Sequence, residues 1–256
     1  MRLPLNVEIS GSGPDLALLH GWGMHGGVWD SVRDDLAQHF RVHVVDLPGY
    51  GASAACAPYS LEAVARQVVA ALPERTHVAG WSLGAQVALQ MALLAPARIE
   101  KLVLIAVTPC FRARADWPHA MSDTALAEFS RGIEQDYEGT LKRFLSLQAR
   151  SGEAARAVIT RLRETLFARG RPTLETLRAG LKILSDSDLR GAVGTIMHPT
   201  LILHGSHDTL TPSAAGAWLA QALPGATLET IHGAAHAPFL SHPQITTKNM
   251  VQFLHG

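Results

Sequence analysis

Five short apolar runs, separated by stretches of helical period, constrain this chain more than any other feature. Leu16-Ala17-Leu18-Leu19, Arg41-Val42-His43-Val44-Val45-Asp46, Thr76-His77-Val78-Ala79, Lys101 to Val107 and Thr200-Leu201-Ile202-Leu203 have strand length. Leu61 to Leu72, Leu83 to Leu94, Ala214 to Leu223 and Ile245 to Leu254 carry the apolar spacing of amphipathic helices. Strands buried on both faces and separated by helices predict an α/β fold with a mostly parallel central sheet and helices on both faces. Ligands of such sheets sit at the carboxyl ends of the strands, so the residues just after each strand are the first candidates for chemistry.

The alternation stops near Pro109 and resumes near Met197, and the interval reads as about four amphipathic helices with no convincing strand. One face carries Leu141, Phe144, Leu145 and Gln148, another Val158, Ile159, Leu162 and Leu166. An insertion of this kind after one strand predicts a helical lid over the ligand end. The expected division is a core of residues 1–111 and 191–256 and a lid of residues 112–190.

Composition narrows the class. With 47% hydrophobic and 17% charged residues, the chain is too apolar to be disordered. At 256 residues it can bury about three quarters of its unfolded surface without disulfide or metal. Equal numbers of basic and acidic residues, 22 each, argue against a nucleic-acid-coating or polybasic membrane protein. Cys56 and Cys110 form no CxxC pair and no disulfide framework. The start, MRLPLNVEIS, lacks the apolar core of a signal peptide, and no run reaches the roughly 18 apolar residues of a membrane span. A cytoplasmic monomer is the expectation. Charge is uneven, however: Lys142 to Lys182 holds ten basic and three acidic residues. That segment is either a solvated face or a docking surface for an acidic partner carried by Arg143, Arg150, Arg156, Arg161 and Arg163.

Gly80-Trp81-Ser82-Leu83-Gly84 follows the Thr76–Ala79 strand and opens the Leu83 helix, which is G-x-S-x-G in the strand–turn–helix setting the motif requires. A serine on so tight a turn takes a strained backbone conformation, and small neighbours let strand and helix approach. Ser82 is therefore the candidate nucleophile, and it needs a base within hydrogen-bond reach. Of thirteen histidines, His236 lies in a loop after the last strand and before the last helix, at the ligand end. His20 ends the first buried strand, where it is expected to brace loops. His204 and His207 crowd one turn. His232 and His236 are four apart, but Gly233 disfavours a helix there and no HExxH occurs, so no metal site is expected.

The base needs an acid to fix its tautomer, and Asp208 lies just beyond the Thr200–Leu203 strand. The position after Val107 holds Thr108-Pro109 and no carboxylate, while Asp186 and Asp188 fall in the lid, where helix capping is expected of them. An oxyanion site needs two backbone N–H donors. Leu83 supplies one, and Trp22, in His20-Gly21-Trp22-Gly23, is placed to supply the other; its indole would either wall an acyl pocket or pack in the core. No cofactor is required.

Together these residues resemble the α/β-hydrolase superfamily over essentially the whole chain, including its Ser…Asp…His order. Within it, six stretches are similar to the pimeloyl-acyl-carrier-protein methyl ester esterases of biotin synthesis. They are His20–Gly23, Asp46-Leu47-Pro48-Gly49-Tyr50-Gly51, Gly80–Gly84, Pro109-Cys110-Phe111, Arg143-Phe144-Leu145-Ser146-Leu147-Gln148 and His236–Pro243. The resemblance implies a serine carboxylesterase with Ser82, Asp208 and His236 as triad and Trp22 and Leu83 as oxyanion donors. It further implies that Phe144 and Gln148 close on the ester and that an acyl carrier protein docks on the basic lid through Arg143 and Arg156. Gly139 and Thr160 interrupt that basic surface. Three alternatives share the same residues: a general short-chain carboxylesterase, a cofactor-free carbon–carbon hydrolase, and a ligand-binding protein that retains a hydrolase pocket.

Overall fold

The computed structural model describes residues 5–136, 138–140, 143, 153–166 and 168–256, with the backbone alone for 153–157 and 166. Phe144, Gln148 and Arg150, and the side chain of Arg156, lie outside the described residues. The strands are β1 (Val7–Ser10), β2 (Asp15–Leu19), β3 (Arg41–Val45), β4 (Thr76–Trp81), β5 (Ile99–Ile105), β6 (Thr200–Gly205) and β7 (Ala226–Ile231). They form one sheet in the order β1-β3-β2-β4-β5-β6-β7. Only the β1–β3 pair is antiparallel; β2 to β7 run parallel.

The described helices are α1 (Asp30–Leu36), α2 (Leu61–Ala71), α3 (Leu83–Leu94), α4 (Asp123–Gln135), α5 (Glu153–Leu166), α6 (Leu174–Asp186), α7 (Ser213–Ala222), α8 (Pro238–Ser241) and α9 (Pro243–His255). Hydroxyls start three of them: Ser60, Ser122 and Thr173 each accept a hydrogen bond from the backbone N–H three residues on, satisfying a donor the helix leaves open.

The central strands read as apolar runs because both faces are covered. Leu16, Ala17, Leu18 and Leu19 are fully buried, as are Val78, Ala79 and Leu102 to Ile105. The two edge strands carry no such run. In β7 buried and exposed positions are mixed, and Ile9 of β1 is 61% exposed. Half-covered edges give no continuous apolar signal, which is why five of the seven strands stand out in the sequence. Helix α3 is apolar nearly all round, since Leu83 to Leu89 are all buried against the sheet and α2.

Between β5 and β6 the described residues add no strand to the sheet and contribute α4, α5 and α6. A Cys110–Asp188 bridge and the Leu189 N–H donating to Pro109 O hold the two ends of this stretch together. Asp186 and Asp188, expected to cap helices, do something else. Asp186 ends α6 and takes Lys182, while Asp188 accepts from the backbone N–H and guanidinium of Arg190. A cation close in sequence, four residues before Asp186 and two after Asp188, takes each carboxylate. Among the described residues no helix is long and apolar enough to cross a membrane.

Candidate active site

The parallel order brings the carboxyl ends of β2, β4 and β6 and the loop after β7 to one side of the sheet, and Ser82 stands at the central strand of that set. Its backbone has φ 56° and ψ −116°, a conformation that costs about 1–3 kcal/mol and persists only where its surroundings enforce it. Two glycines do so. A methyl group on Gly80 would lie 2.3 Å from Gly84 O, and one on Gly84 would lie 2.3 Å from Leu19 O. Only hydrogen at both positions lets α3 start against β4 and β2. The Ser82 N–H donates to Ile105 O at 3.0 Å, which ties the turn to β5.

Asp208 and His236 meet in the interior, 6% and 0% exposed. His236 Nδ1 and Asp208 Oδ2 are 2.8 Å apart. Asp208 Oδ1 accepts from the N–H groups of Leu210 and Thr211, both at 2.9 Å, and Oδ2 also accepts from Thr211 Oγ1 at 2.8 Å. Burial pushes the Asp208 carboxyl up, but the charge and hydrogen bond of His236, with His204 and the Thr211 N–H, outweigh it and hold the acid below the usual carboxylate range. An ionised Asp208 can only accept, so the imidazole proton sits on Nδ1. Nε2 of His236 then has no hydrogen-bond partner among the described residues and is open to accept a hydroxyl proton.

The loops carrying this pair are knitted together. The His207 N–H donates to Ala234 O at 2.9 Å, and a methyl group on Gly205 would lie 2.1 Å from Ala235 O. Trp81, next to the serine, donates its indole N–H to His236 O at 2.8 Å and packs edge-on to Phe239. The residue before Ser82 therefore positions the loop of His236. Sequence reasoning gave Trp81 no such task, because an indole–carbonyl bond across 155 residues leaves no local signal. Thr211 and His204 were also unassigned. Acceptance by Asp208 from residues two and three further on does have a local signature, a turn in which an Asp side chain bonds the backbone just ahead.

The loop after β2 lies against the serine turn, since a methyl group on Gly21 would approach Trp81 Cε3 at 3.0 Å and Ser82 Cβ at 3.3 Å. Leu83 opens α3, so its N–H has no acceptor within the helix. His20 braces the loop as expected. Its Nδ1 donates to Gly21 O at 2.8 Å, its Nε2 accepts from the Leu47 N–H at 3.0 Å, and burial pushes its pKa down to about 4. The Trp22 indole is buried; its N–H donates to Leu177 O of α6 at 3.0 Å and its ring meets Phe129 of α4 edge-on. The indole packs between the helical stretch and the core. Gly180 permits that contact, because a methyl group there would lie 2.9 Å from Trp22 Cδ1. Beside Phe129 a cavity of about 310 Å³ opens, lined by Met121, Gly132, Thr140 and Arg143 among others.

Acid should destabilise this arrangement well above the range of carboxylates. The unfolded chain protonates His20 near pH 6.5, whereas the folded protein resists protonation down to about pH 4. Between those values the unfolded state binds the extra proton, so stability is full above pH 6.5 and falls as pH drops through that window. His25 and His204 are also lowered, by burial first, and add to the loss. His20 alone contributes on the order of 3 kcal/mol over the window, at roughly 1.4 kcal/mol per unit. The melting temperature is expected to fall by about 5 °C or more between pH 7 and pH 5. A flat profile down to pH 5 would contradict a neutral, buried His20.

The basic stretch is partly neutralised in space. Arg143, Arg169, Arg171, Arg178 and Lys182 each face a carboxylate from outside residues 142–182, namely Asp136, Glu8, Glu138, Glu134 and Asp186. Arg161 and Arg163 of α5 are exposed. A count along the chain overstates the charge of this surface because Glu8, Glu134, Asp136, Glu138 and Asp186 lie outside the stretch counted.

Comparison with known proteins gives a consistent result. A family model described as the alpha/beta hydrolase fold matches residues 16–243. A pimeloyl-acyl-carrier-protein methyl ester esterase of Nitrosomonas europaea is 48% identical over 94% of this chain and 95% of its own. The protein of the same name from Nitrosospira multiformis is 43% identical over 98% of each chain. Among solved structures, a hydrolase from Pseudomonas aeruginosa superposes with TM-score 0.86 at 30% identity, covering 98% of this chain and 94% of its own. An esterase from Exiguobacterium antarcticum, at 24% identity, shares the fold with TM-score 0.90 over 98% and 96% of the two chains.

Proposed function

The chain belongs to the α/β-hydrolase fold family and, within it, to the pimeloyl-acyl-carrier-protein methyl ester esterases, and from that membership we propose that it hydrolyses the methyl ester of a pimeloyl group carried on acyl carrier protein, in biotin synthesis. The observation that carries the chemistry is His236, with Nδ1 committed to Asp208 and Nε2 unpartnered among the described residues, in a loop that Trp81 ties to the strained Ser82 turn.

Ser82 Oγ attacks the ester carbonyl as His236 Nε2 takes its proton. Asp208 stabilises the imidazolium that forms, and the N–H groups of Trp22 and Leu83 hold the developing oxyanion. His236 then gives the proton to the departing methanol. Water attacks the acyl-enzyme by the same route, returning free pimeloyl carrier and Ser82.

Residues 112–190 act as a lid over the core of residues 1–111 and 191–256, and Trp22 links the two by its contacts with α4 and α6. Phe144 and Gln148 are assigned to the closing edge of the lid, by the family resemblance alone. Arg143 and Arg156 are assigned to docking of the acidic carrier by the family resemblance, and Arg161 and Arg163, exposed on α5, add to that charge. The enzyme works as a cytoplasmic monomer without cofactor.

The test compares kcat/KM for methyl pimeloyl on acyl carrier protein with the same acyl group on free pantetheine. The carrier-bound form is expected to be preferred by at least about tenfold, and reversing charge at Arg143 and Arg156 is expected to remove most of that preference while sparing the free ester. Equal values for both substrates would make this a general short-chain carboxylesterase whose basic helices are only solvated.

A further inference from the structure

Thr211 stands between the two members of the acid–base pair and contacts both. Its Oγ1 is 2.8 Å from Asp208 Oδ2, 3.2 Å from His236 Nδ1 and 3.1 Å from Ala106 O. The hydroxyl has one proton. The ionised carboxylate is both the nearer and the stronger acceptor, so that proton goes to Asp208 Oδ2, the same oxygen that receives the His236 Nδ1–H. The backbone of Thr211 is held on both sides. Its own N–H is bound to Asp208 Oδ1, and its carbonyl accepts from Nε2 of the fully buried His204 at 2.7 Å.

Resting on the proposed roles of Asp208 and His236, we propose that the Thr211 hydroxyl is a positioning residue that sets the basicity of His236, by sharing Asp208 Oδ2 with it and withholding part of the carboxylate's charge. A carboxylate that accepts one more hydrogen bond is a weaker base and stabilises the imidazolium less. Thr211 thereby keeps His236 a base that releases its proton readily to the leaving alcohol. His204 holds Thr211 in register for this task.

Among the described residues no other group nearby mimics the effect. His204, from β6, is 3.5 Å from Asp208 Oδ2, and burial keeps it neutral to lower pH than an exposed histidine. His207 adjoins Asp208 in the chain and is half-buried. The serine turn offers Ser82, while the stretch after β5 (Ala106 to Thr108) and α8 carry no titratable side chain. Arg161, Arg163 and Glu164 of α5, which packs on α8, are exposed.

The experiment is the pH profile of kcat/KM for a soluble ester, measured on wild type, Thr211→Val, Thr211→Ser and Ser82→Ala. Thr211→Val is expected to move the acid limb upward by about half a unit to one unit, a shift of the size one hydrogen bond to a charged group produces. Thr211→Ser, which keeps the hydroxyl, is expected to retain the wild-type limb. A merely structural role would lower the plateau in both variants without moving the limb. An unmoved or downward-shifted limb in Thr211→Val overturns the proposal, as does an equal shift in the serine variant. Should the valine variant fail to fold, Thr211→Ala against Thr211→Ser makes the same comparison. Full activity in Ser82→Ala would instead show that the underlying hydrolase reading is at fault, whatever Thr211 does.

Discussion

Ser82→Ala is expected to lower kcat/KM for ester hydrolysis by about 10⁴-fold or more while leaving the melting temperature within a few degrees of wild type. The loss is large because no other group can form the acyl intermediate. Nε2 of His236 would then have only water to activate, and the residual rate would come from the oxyanion donors and binding. The fold is spared for a local reason. Ser82 Oγ makes no hydrogen bond among the described residues, and the positive φ is paid for by Gly80 and Gly84 in either variant. Alanine differs from serine only by the atom that does the chemistry. Retention of more than a few per cent of wild-type activity would place the nucleophile elsewhere.

Asp208→Asn is expected to cost about 10⁴-fold in kcat with little change in stability, and the hydrogen bonds say why. Oδ1 of Asp208 is fixed by the N–H groups of Leu210 and Thr211, so an asparagine would keep its carbonyl there. Its NH₂ would then occupy the place of Oδ2 and face His236 Nδ1 as a donor. The imidazole would answer by moving its proton to Nε2, the nitrogen that must be empty to accept from Ser82. The site would look intact and be in the wrong tautomer. Steady-state kinetics beside thermal unfolding checks this; near-normal turnover would assign the acid to another carboxylate.

How much of this was legible follows from the range of each interaction. The central strands and α3 could be read because double-sided burial demands unbroken apolar runs, and the Ser82 turn because Gly80 and Gly84 must be small within a five-residue window. Asp208 could be read because it follows the legible strand β6, and His236 because it lies in a loop just ahead of the last helix. Edge strands β1 and β7 were not, since half-covered strands such as Ala226–Ile231 have no continuous apolar run. The bond from Trp81 to His236 O, and that from Trp22 to Leu177 O, join residues 155 apart and depend on the finished fold. Charge was read least well. The segment 142–182 sums to a strong positive balance, yet half its cations meet acids that folding brings from outside it. Asp186 and Asp188 were misread because each pairs with a near neighbour in sequence, Lys182 four residues before and Arg190 two residues after, in place of a helix start.

The account rests on one claim, that this chain cleaves the methyl ester of a carrier-bound pimeloyl group through Ser82. Mass spectrometry of methyl pimeloyl acyl carrier protein after incubation with enzyme tests it most directly. Wild type is expected to convert the carrier to a species lighter by one methylene, with methanol released in equal amount, and Ser82→Ala is expected to leave it unchanged. A carrier that keeps its methyl group in the presence of wild-type enzyme, or loses it equally with the variant, would contradict the account.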